Sequence, residues 1–463
     1  MRLILAGLLF AVAQFSFAQS DSIPAKKESA KPLLHYFKNG KSGGHLRHYF
    51  MSTDNEAGLT DYYANAFGGG LRFETASFHG FHFGVAGFYI FNIGSSDMTK
   101  KDRATGQISR YESGQFDVTN LSNKHDLDRL EELYLRYETG KTTITGGRQN
   151  IKSPFINPQD GRMRPTAESG IWVESLGDIK NLEFKAGIFN DISPRGTVNW
   201  YSIGHSIGIY STGVDEKGKK SAYANSVNSE FVGLLGVQYS FGKSLKIQGW
   251  NQWVENVFNT ALFQADGNFP ISGKWKGIYG VQYIHQNRIG QGGNPNSELA
   301  YVSKDWNANI FGGKAGVKNE GFETSLSYTR ITKDGRFLMP REWGREPLFT
   351  FMPRERNEGA GDVHAWVYRL AHHFKKLRLK PEISAGYYRM PDVRNYRLNK
   401  YGMPSYWQTN LSVLYEFEGF MKGLDAQLIV LYKGKNGETY EVPGYTFNKV
   451  NMMHTNVILN YHF

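Results

Sequence analysis

The sequence predicts an all-β protein, a transmembrane antiparallel β-barrel of about 18 strands with short turns at one end and long loops at the other. Three observations lead to this prediction. The chain begins with an apolar segment that is too short to span a membrane as a helix. Its last residues alternate between apolar and polar up to Phe463, and strand-like segments with tight turns fill the interval. A barrel of 16 strands is the alternative.

The first residues predict export from the cytoplasm. Arg2 supplies a positive charge, Leu3–Phe17 is almost wholly apolar, and small residues favour signal-peptidase cleavage after Ala18. An anchoring helix is the alternative, but about fifteen apolar residues fall short of the ~20 that a span requires. We therefore expect localisation in the outer membrane of a Gram-negative cell. The predicted organisation is a signal peptide (1–18), a periplasmic N-terminal lead (19–44) and a transmembrane β-barrel (45–463).

The composition agrees with a membrane barrel. The 463 residues include 27 Tyr, 31 Phe, 9 Trp and 52 Gly, yet the mean hydropathy is only −0.48. Lipid-facing and lumen-facing residues alternate along barrel strands, so their hydropathies cancel in an average. The absence of Cys excludes disulfide bonds. The net charge of +11 does not indicate nucleic acid, which an exported barrel does not meet; scattered Lys and Arg can instead bind lipopolysaccharide or attract anions.

The C-terminal segment has one apolar and one polar face. Asn456, Asn460 and His462 alternate with a largely apolar set that ends on the last residue. That set is Met453, Thr455, Val457, Leu459, Tyr461 and Phe463. Strict alternation indicates a strand with lipid on one side and water on the other. A terminal aromatic residue on such a strand resembles the signal that barrel-assembly machinery recognises, so this machinery is a predicted partner.

Short polar turns join the predicted strands in pairs. They lie at 79–80, 139–141, 242–244, 272–274, 319–321, 375–376 and 421–423. Long connections lie at 94–128, 150–170, 190–228, 290–305, 334–362 and 393–405. This asymmetry is typical of outer-membrane barrels, with short turns in the periplasm and long loops outside the cell. The strand count stays open because Ile171–Ser175 is short and the 190–228 connection has room for another hairpin.

Polar residues on one face of several strands predict a water-filled lumen. In the segment 407–417, Trp407 and Leu411 share a face, whereas Gln408 lies on the other. In the segment 424–432, Asp425 and Gln427 alternate with apolar residues in the same way. A small barrel fills its interior with its own side chains, whereas 18 strands leave room for water. The sequence therefore favours a channel.

Several blocks of the chain resemble the OprD-type family of outer-membrane porins. They are Phe37–Gly40 with His45–Phe50, Gly68–Gly80, Gly146–Gln149 with Pro154, Asp160, Arg162, Pro165 and Gly170, and Arg341–Phe351. The connections 94–128 and 190–228 do not match the family pattern. The resemblance implies an 18-stranded barrel whose third loop folds inward, and diffusion of small, frequently anionic or zwitterionic nutrients. It does not identify the solute, and both a monomer and a trimer are open.

Two loops supply the candidate constriction. The 150–170 loop carries basic residues and is stiffened by proline, and the 334–362 loop is rich in Arg. A narrow pore lined by Arg favours anions, because guanidinium is always charged and binds carboxylates through two hydrogen bonds. The candidate residues are Arg72, Arg136, Arg148, Asp160, Arg162, Arg164, Arg288, Arg341 and Arg345. We expect Asp160 to pair with an arginine and hold its loop. The alternative is that these arginines are solvated or meet lipopolysaccharide phosphates.

Motifs that suggest an enzyme lack their structural context. Gly204–Gly208 matches the nucleophile-elbow pattern around Ser206, but Ile203, Ile207 and Ile209 alternate as in a strand and no helix pattern follows. Histidine pairs are separated by odd numbers of residues, which places the side chains on opposite faces of a strand. We therefore predict no catalytic residue, metal or cofactor. An adhesin that acts through its long loops is the alternative function, and a barrel hydrolase is a less favoured one.

Overall fold

The structure is a computed structural model that describes residues 32–159, 161–354 and 356–463. The predicted signal peptide (1–18), the first half of the predicted lead (19–31) and Asp160 lie outside these residues. Two helices precede or interrupt the strands, α1 (Leu33–Lys38) and α2 (Ile203–Ser206). No helix in the described ranges is long and apolar enough to cross a membrane.

Nineteen strands occur in the described residues. They are β1 (Lys41–Asp54), β2 (Tyr62–Glu74), β3 (Phe81–Asn92), β4 (Asp128–Thr139), β5 (Thr142–Gln149), β6 (Ala167–Leu176), β7 (Leu182–Ser193), β8 (Tyr201–Ser202), β9 (Val232–Phe241), β10 (Leu245–Val254), β11 (Phe258–Ser272), β12 (Trp275–Arg288), β13 (Asn307–Lys318), β14 (Phe322–Ile331), β15 (Val363–His372), β16 (Leu379–Arg389), β17 (Tyr406–Glu416), β18 (Leu424–Lys435) and β19 (Met452–His462). β1 begins four residues before the predicted start of the barrel at residue 45.

Eighteen of these strands form a closed antiparallel barrel, as the sequence predicts. Each strand pairs with its neighbours in the chain, and β1 pairs with β19 to close the ring. The two-residue strand β8 pairs only with β7, whose other partner in the wall is β9. The 190–228 connection therefore adds no strand to the wall: it holds β8 and an isolated antiparallel bridge between Val214 and Lys220. Closure leaves no strand of the wall with an unpaired edge, which a lipid environment requires.

The alternation of side chains follows the predicted faces. Trp407, Leu411 and Leu428 are exposed on the outer surface, whereas Gln408 and Lys433 are buried on the inner side. The outward set extends around the barrel with aromatic residues that contact one another across strands. Because successive residues of a strand point to opposite sides, one pairing register fixes which side chains meet lipid.

Short turns lie at one end of the barrel, and the loops, most of them long, lie at the other. Short turns join β2 to β3, β4 to β5 and each later pair, and the C terminus lies at the same end. Numbered in chain order, the loops at the other end are the first (55–61), second (93–127), third (150–166), fourth (194–231), fifth (255–257), sixth (289–306), seventh (332–362), eighth (390–405) and ninth (436–451). The fifth is a tight turn of three residues, and the ninth is a long connection that the sequence analysis does not identify.

Long loops fill the lumen at their end of the barrel. The largest cluster of buried apolar residues combines inward side chains of β9 to β17 with residues of the fourth, sixth and seventh loops, including Ile203, Tyr301 and Trp343. A second cluster joins β1 to β3 with the second loop through Tyr111 and Phe116. The loops thus narrow the lumen instead of projecting away from it.

Candidate functional site

The seventh loop runs along the inner wall of the barrel, held by side chains of successive strands. The bonds to its carbonyl groups are Gln286 Nε2 to Leu338 (2.8 Å), Gln282 Nε2 to Pro347 (3.0 Å), Tyr388 OH to Thr350 (2.8 Å), Gln408 Nε2 to Pro353 (2.9 Å) and Lys433 Nζ to Arg354 (2.9 Å). These donors lie on β12, β16, β17 and β18. Arg369 on β15 also donates to the carbonyls of Phe349 and Phe351. The loop therefore lines much of the lumen.

The third loop covers another part of the wall. Its Arg162 carbonyl accepts a hydrogen bond from Arg47 Nη1 of β1 at 2.8 Å. Its Pro165 carbonyl accepts one from Arg129 Nη2 of β4 at 2.6 Å. Between these two points Met163 lies so close to Gly68 of β2 that a side chain on Gly68 would collide with it. The third loop folds inward, as the family resemblance implies.

The third and seventh loops join inside the barrel. Asn157 donates from its backbone N–H to the Trp343 carbonyl at 3.1 Å and from Nδ2 to the Arg345 carbonyl at 3.1 Å. Thr166 Oγ1 donates to the Glu342 carbonyl at 3.2 Å. Together the two loops form one partition. We call the junction of residues 157–159 and 161 with residues 341–354 and 356 the candidate constriction.

Four guanidinium groups converge on the two residues that flank Asp160 along the chain. Their bonds are Arg162 Nη1 to the Gly161 carbonyl (2.7 Å), Arg354 Nη1 to the same carbonyl (3.3 Å), Arg195 Nη1 to the Gln159 carbonyl (3.5 Å) and Arg356 Nη2 to Gln159 Oε1 (2.8 Å). Burial and the like charges of Arg354 and Arg195 lower the pKa of Arg162 well below its ordinary value. Burial and neighbouring arginines lower the pKa of Arg356 to about 10. Four arginines therefore lie close together at this junction.

Of the nine predicted residues, Arg345 lies at the constriction with an exposed side chain. Its guanidinium lies 5.5 Å from the centre of the Phe351 ring. Among the described residues, no carboxylate forms an ion pair with it. A charge without a paired carboxylate keeps its full attraction for a passing anion.

The predicted third-loop arginines are buried. Arg162 is 6% exposed and Arg164 is 2% exposed. Arg164 Nη2 donates to the Leu127 carbonyl at 3.0 Å, which joins the third loop to the last residue of the second. Burial, followed by the charge of Arg129, lowers its pKa to about 9. Both arginines contribute charge to the region, but their side chains hold the loop and offer little surface to a solute.

Arg341 joins the seventh loop to the eighth. Its Nε donates to Glu358 Oε2 at 2.6 Å, and its guanidinium stacks 3.6 Å from the centre of the Tyr401 ring. Lys400 Nζ lies 3.9 Å from Glu358 Oε1, and this cluster is almost wholly buried. These contacts indicate a structural contribution from Arg341.

Arg148 lies on the outer surface of the barrel. In the register of β4 and β5 it is opposite Leu133, an exposed lipid-facing residue. Its guanidinium stacks 4.7 Å from the centre of the Trp200 ring, which also covers this side of the wall. Paired residues of neighbouring strands point to the same side of the sheet, so Arg148 cannot reach the lumen from this position.

The other strand arginines face inward at different depths. Arg72 and Arg136 form a lumen network near the short-turn end with Glu74, Glu132 and Tyr134. Arg72 Nε lies 3.1 Å from Glu132 Oε2, and Arg136 Nη1 lies 3.0 Å from Glu74 Oε2. Arg288 lies at the opposite end of β12, beneath the sixth loop and close to Gly292. None of these three joins the constriction.

The nucleophile-elbow motif holds a loop in place. The predicted strand around Ser206 is wrong, because residues 203–206 form the one-turn helix α2. Ser206 Oγ donates to the Ile203 carbonyl at 2.7 Å and accepts from Trp343 Nε1 at 2.8 Å. The serine therefore supports the seventh loop from the fourth. In the described part of the chain, no group of three or more Asp, Glu, His or Cys could hold a metal ion.

Comparisons with known proteins agree with this architecture. A family model described as "outer membrane porin, OprD family" matches residues 35–449. Pseudomonas aeruginosa OccK9 (OpdG) superposes with a TM-score of 0.71 at 16% identity, over 92% of this chain and 99% of that chain. Pseudomonas aeruginosa OpdK, solved with vanillate, gives 0.70 at 13% over 92% and 99%, and Acinetobacter baumannii OccAB2 gives 0.69 at 14% over 92% and 98%. No curated protein matches the chain.

Proposed function

This chain belongs to the OprD family of outer-membrane porins, and we propose that it passes small hydrophilic solutes, chiefly anions and zwitterions, through a basic constriction. Membership of the family identifies the protein as a channel of the Gram-negative outer membrane and not an enzyme. It confirms the family resemblance and excludes the hydrolase alternative. Loops that pack into the lumen also disfavour an adhesin. The preference for negative charge is our inference from the constriction.

One observation carries this inference: the exposed guanidinium of Arg345 lies where the third and seventh loops join. Two hydrogen bonds to Asn157 fix the Arg345 backbone at the junction of the two loops. An exposed guanidinium can bind a carboxylate in two-point geometry. A solute with a carboxylate is therefore favoured at this junction over one with an ammonium group alone.

Buried arginines behind the surface support the same preference. Arg162 and Arg195 are buried and Arg356 is half-buried, so water screens their charges poorly. Their field extends into the path because the loops that separate them from it have low polarisability. We infer that Arg345 contacts the solute and that the arginines behind it add positive electrostatic potential along the path.

We further propose that Asp160 pairs with this cluster, since its two chain neighbours accept hydrogen bonds from all four guanidinium groups. Substitution D160N would leave a cluster of like charges without its compensating carboxylate. The expected results are a third loop that is cut faster by protease and a pore that favours anions more strongly. Unchanged cleavage and selectivity would argue against the pairing.

The test of the basic constriction is the substitution R345Q. Reversal potentials in asymmetric salt across a planar bilayer should shift toward cations, because the substitution removes an exposed charge without a described carboxylate partner. R148Q is the matched control, since it removes the same charge from the outer surface and should leave the reversal potential unchanged.

The two variants separate the possible outcomes. A shift in R345Q alone supports the constriction. An equal shift in both variants would indicate a general effect of net charge. The absence of any shift in R345Q would overturn the proposed selectivity while leaving the porin function intact.

A further inference from the structure

The short helix α1 packs against the outside of the barrel. The Phe37 ring is stacked on the Phe73 ring of β2, with centres 6.2 Å apart and planes 15° apart. Tyr36 contacts Phe78 edge to face at 5.0 Å. The Tyr36 carbonyl accepts a hydrogen bond from the Ala76 N–H at 3.0 Å. These contacts fix the helix beside the turn between β2 and β3, at the short-turn end.

The side of the wall that α1 covers is the lipid-facing side. Along β2, Phe67 and Leu71 are exposed on the outer surface, and Phe73 has the same parity. In the register with β3, Phe73 is opposite Val85, which shares a face with the exposed Phe83. The helix therefore lies outside the barrel and not beneath its opening.

The exposed side of α1 is apolar. Leu33, Leu34 and Phe37 are 64%, 60% and 43% exposed, and no residue of the helix is buried. At about 100° of rotation per residue, these three side chains occupy one arc of the helix, with His35 on the opposite side. Such an arc is typical of a helix that lies in a membrane interface.

We propose that α1 is an interfacial anchor, which inserts Leu33 and Leu34 into the lipid of the periplasmic leaflet of the outer membrane, while Phe37 packs on the wall and exposes only its outer edge to lipid. The apolar arc is continuous with an established lipid-contacting surface, since Phe78 and Phe81 are exposed next to it. Lys38 follows the arc and is exposed, and a long lysine side chain can extend toward lipid phosphates. The segment predicted as a free periplasmic lead thus ends in a membrane-bound helix.

The anchor lies next to the strand that closes the barrel. Only Asn39 and Gly40 separate α1 from β1, and Gly40 lies so close to Phe73 that a side chain there would collide with the ring. β1 then pairs with β19 along the closing seam. Lipid binding by α1 would hold the first residues of this seam at the membrane surface.

The chain contains no cysteine, so a single introduced cysteine can carry a fluorescent label. Labelled L34C is reconstituted into vesicles that contain brominated phosphatidylcholine, which quenches a label only in contact with lipid. Leu135, exposed on β4, and Lys243, in the turn between β9 and β10, provide the lipid-facing control L135C and the aqueous control K243C. L33C repeats the test should L34C fold poorly.

The anchor predicts that L34C and L33C lose fluorescence to brominated lipid as L135C does, whereas K243C loses fluorescence only to aqueous iodide. Quenching of the helix labels by iodide alone would overturn the proposal. Protection from both quenchers would also overturn it, because another segment of the chain or a second copy would then cover the arc. Dilution of the protein in lipid separates these last two cases.

Discussion

Asn157 in the third loop and Arg345 in the seventh exchange two hydrogen bonds. Asn157 Nδ2 donates to the Arg345 carbonyl at 3.1 Å, and the Arg345 N–H donates to Asn157 Oδ1 at 3.1 Å. Only the backbone of Arg345 takes part, so its guanidinium stays exposed. The position of the proposed selectivity charge therefore depends on an uncharged side chain of another loop.

Substitution N157A should loosen the constriction. It removes both bonds, each worth about 0.5–1.5 kcal/mol net, and leaves the Arg345 N–H without its acceptor. We expect larger and noisier single-channel currents, together with a weaker preference for anions. N150A is the control, because Asn150 belongs to the same loop but bonds to Glu132 at 3.0 Å. Quiet currents of native size in N157A would contradict the assigned junction.

The barrel could be predicted from the sequence because alternation is a local property. Each strand displays its two faces in its own residues, and closure follows when every apolar face must meet lipid. The same parity rule places Arg148 correctly: it shares a face with Ile144, which is opposite Tyr137, and not with the inward Thr145. Arg148 is close to the third loop along the chain, but proximity along the chain does not determine the direction of a side chain.

The constriction could not be predicted in the same detail because loops have no period. Nothing in residues 334–362 shows that successive carbonyl groups meet donors on different strands. Some of those donors, such as Gln408 and Lys433, are recognisable as inward residues by parity, although the loop that they hold is not. Arg195 was missed because the fourth loop matches no family pattern, and its contact with Gln159 joins two loops that are distant in the chain.

A substitution of Arg164 tests whether this arginine lines the solute path or only holds its loop. Its pKa is lowered to about 9 by burial, so its surroundings oppose its charge. Removing the charge relieves this penalty, whereas the loss of the donor to the Leu127 carbonyl costs about 1–3 kcal/mol. We expect R164M to keep the native reversal potential and a thermal stability no lower than that of the native protein. A shift toward cations as large as that of R345Q would show that Arg164 lines the path after all.

Lys400 should make the stability depend on pH. Burial lowers its pKa from 10.5 to about 8 despite the nearby carboxylate of Glu358. Between these values the unfolded state binds more protons than the folded state, so stability rises with pH, by about 1.4 kcal/mol per unit at most. Above about pH 10 the buried Tyr223, Tyr301 and Tyr401 act in the opposite sense, because burial raises the pKa of each.

Urea unfolding of the refolded barrel at pH 7.5 and pH 9.5 tests the contribution of Lys400. The substitution K400M should reduce the gain in stability between these two conditions. Lys449, whose pKa burial lowers to about 7, contributes equally to the native protein and to K400M, so the difference isolates Lys400. Equal gains in both proteins would mean that burial does not lower the pKa of Lys400.

Substitutions of Phe463 can test its ring, the predicted recognition signal, separately from its backbone, which helps to close the barrel. Its N–H donates to the Gly44 carbonyl at 3.1 Å, and its carbonyl accepts from the Gly44 N–H at 3.0 Å, whereas its ring is 58% exposed. The substitution F463A keeps both backbone bonds and removes only the ring. Deletion of Phe463 removes the bonds as well, so it should slow refolding in detergent micelles. We expect F463A to refold in micelles at the native rate. The predicted recognition of the ring by the assembly machinery leads us to expect less folded barrel in cells, measured by heat-modifiable mobility. Normal assembly of F463A in cells would show that the machinery does not depend on it.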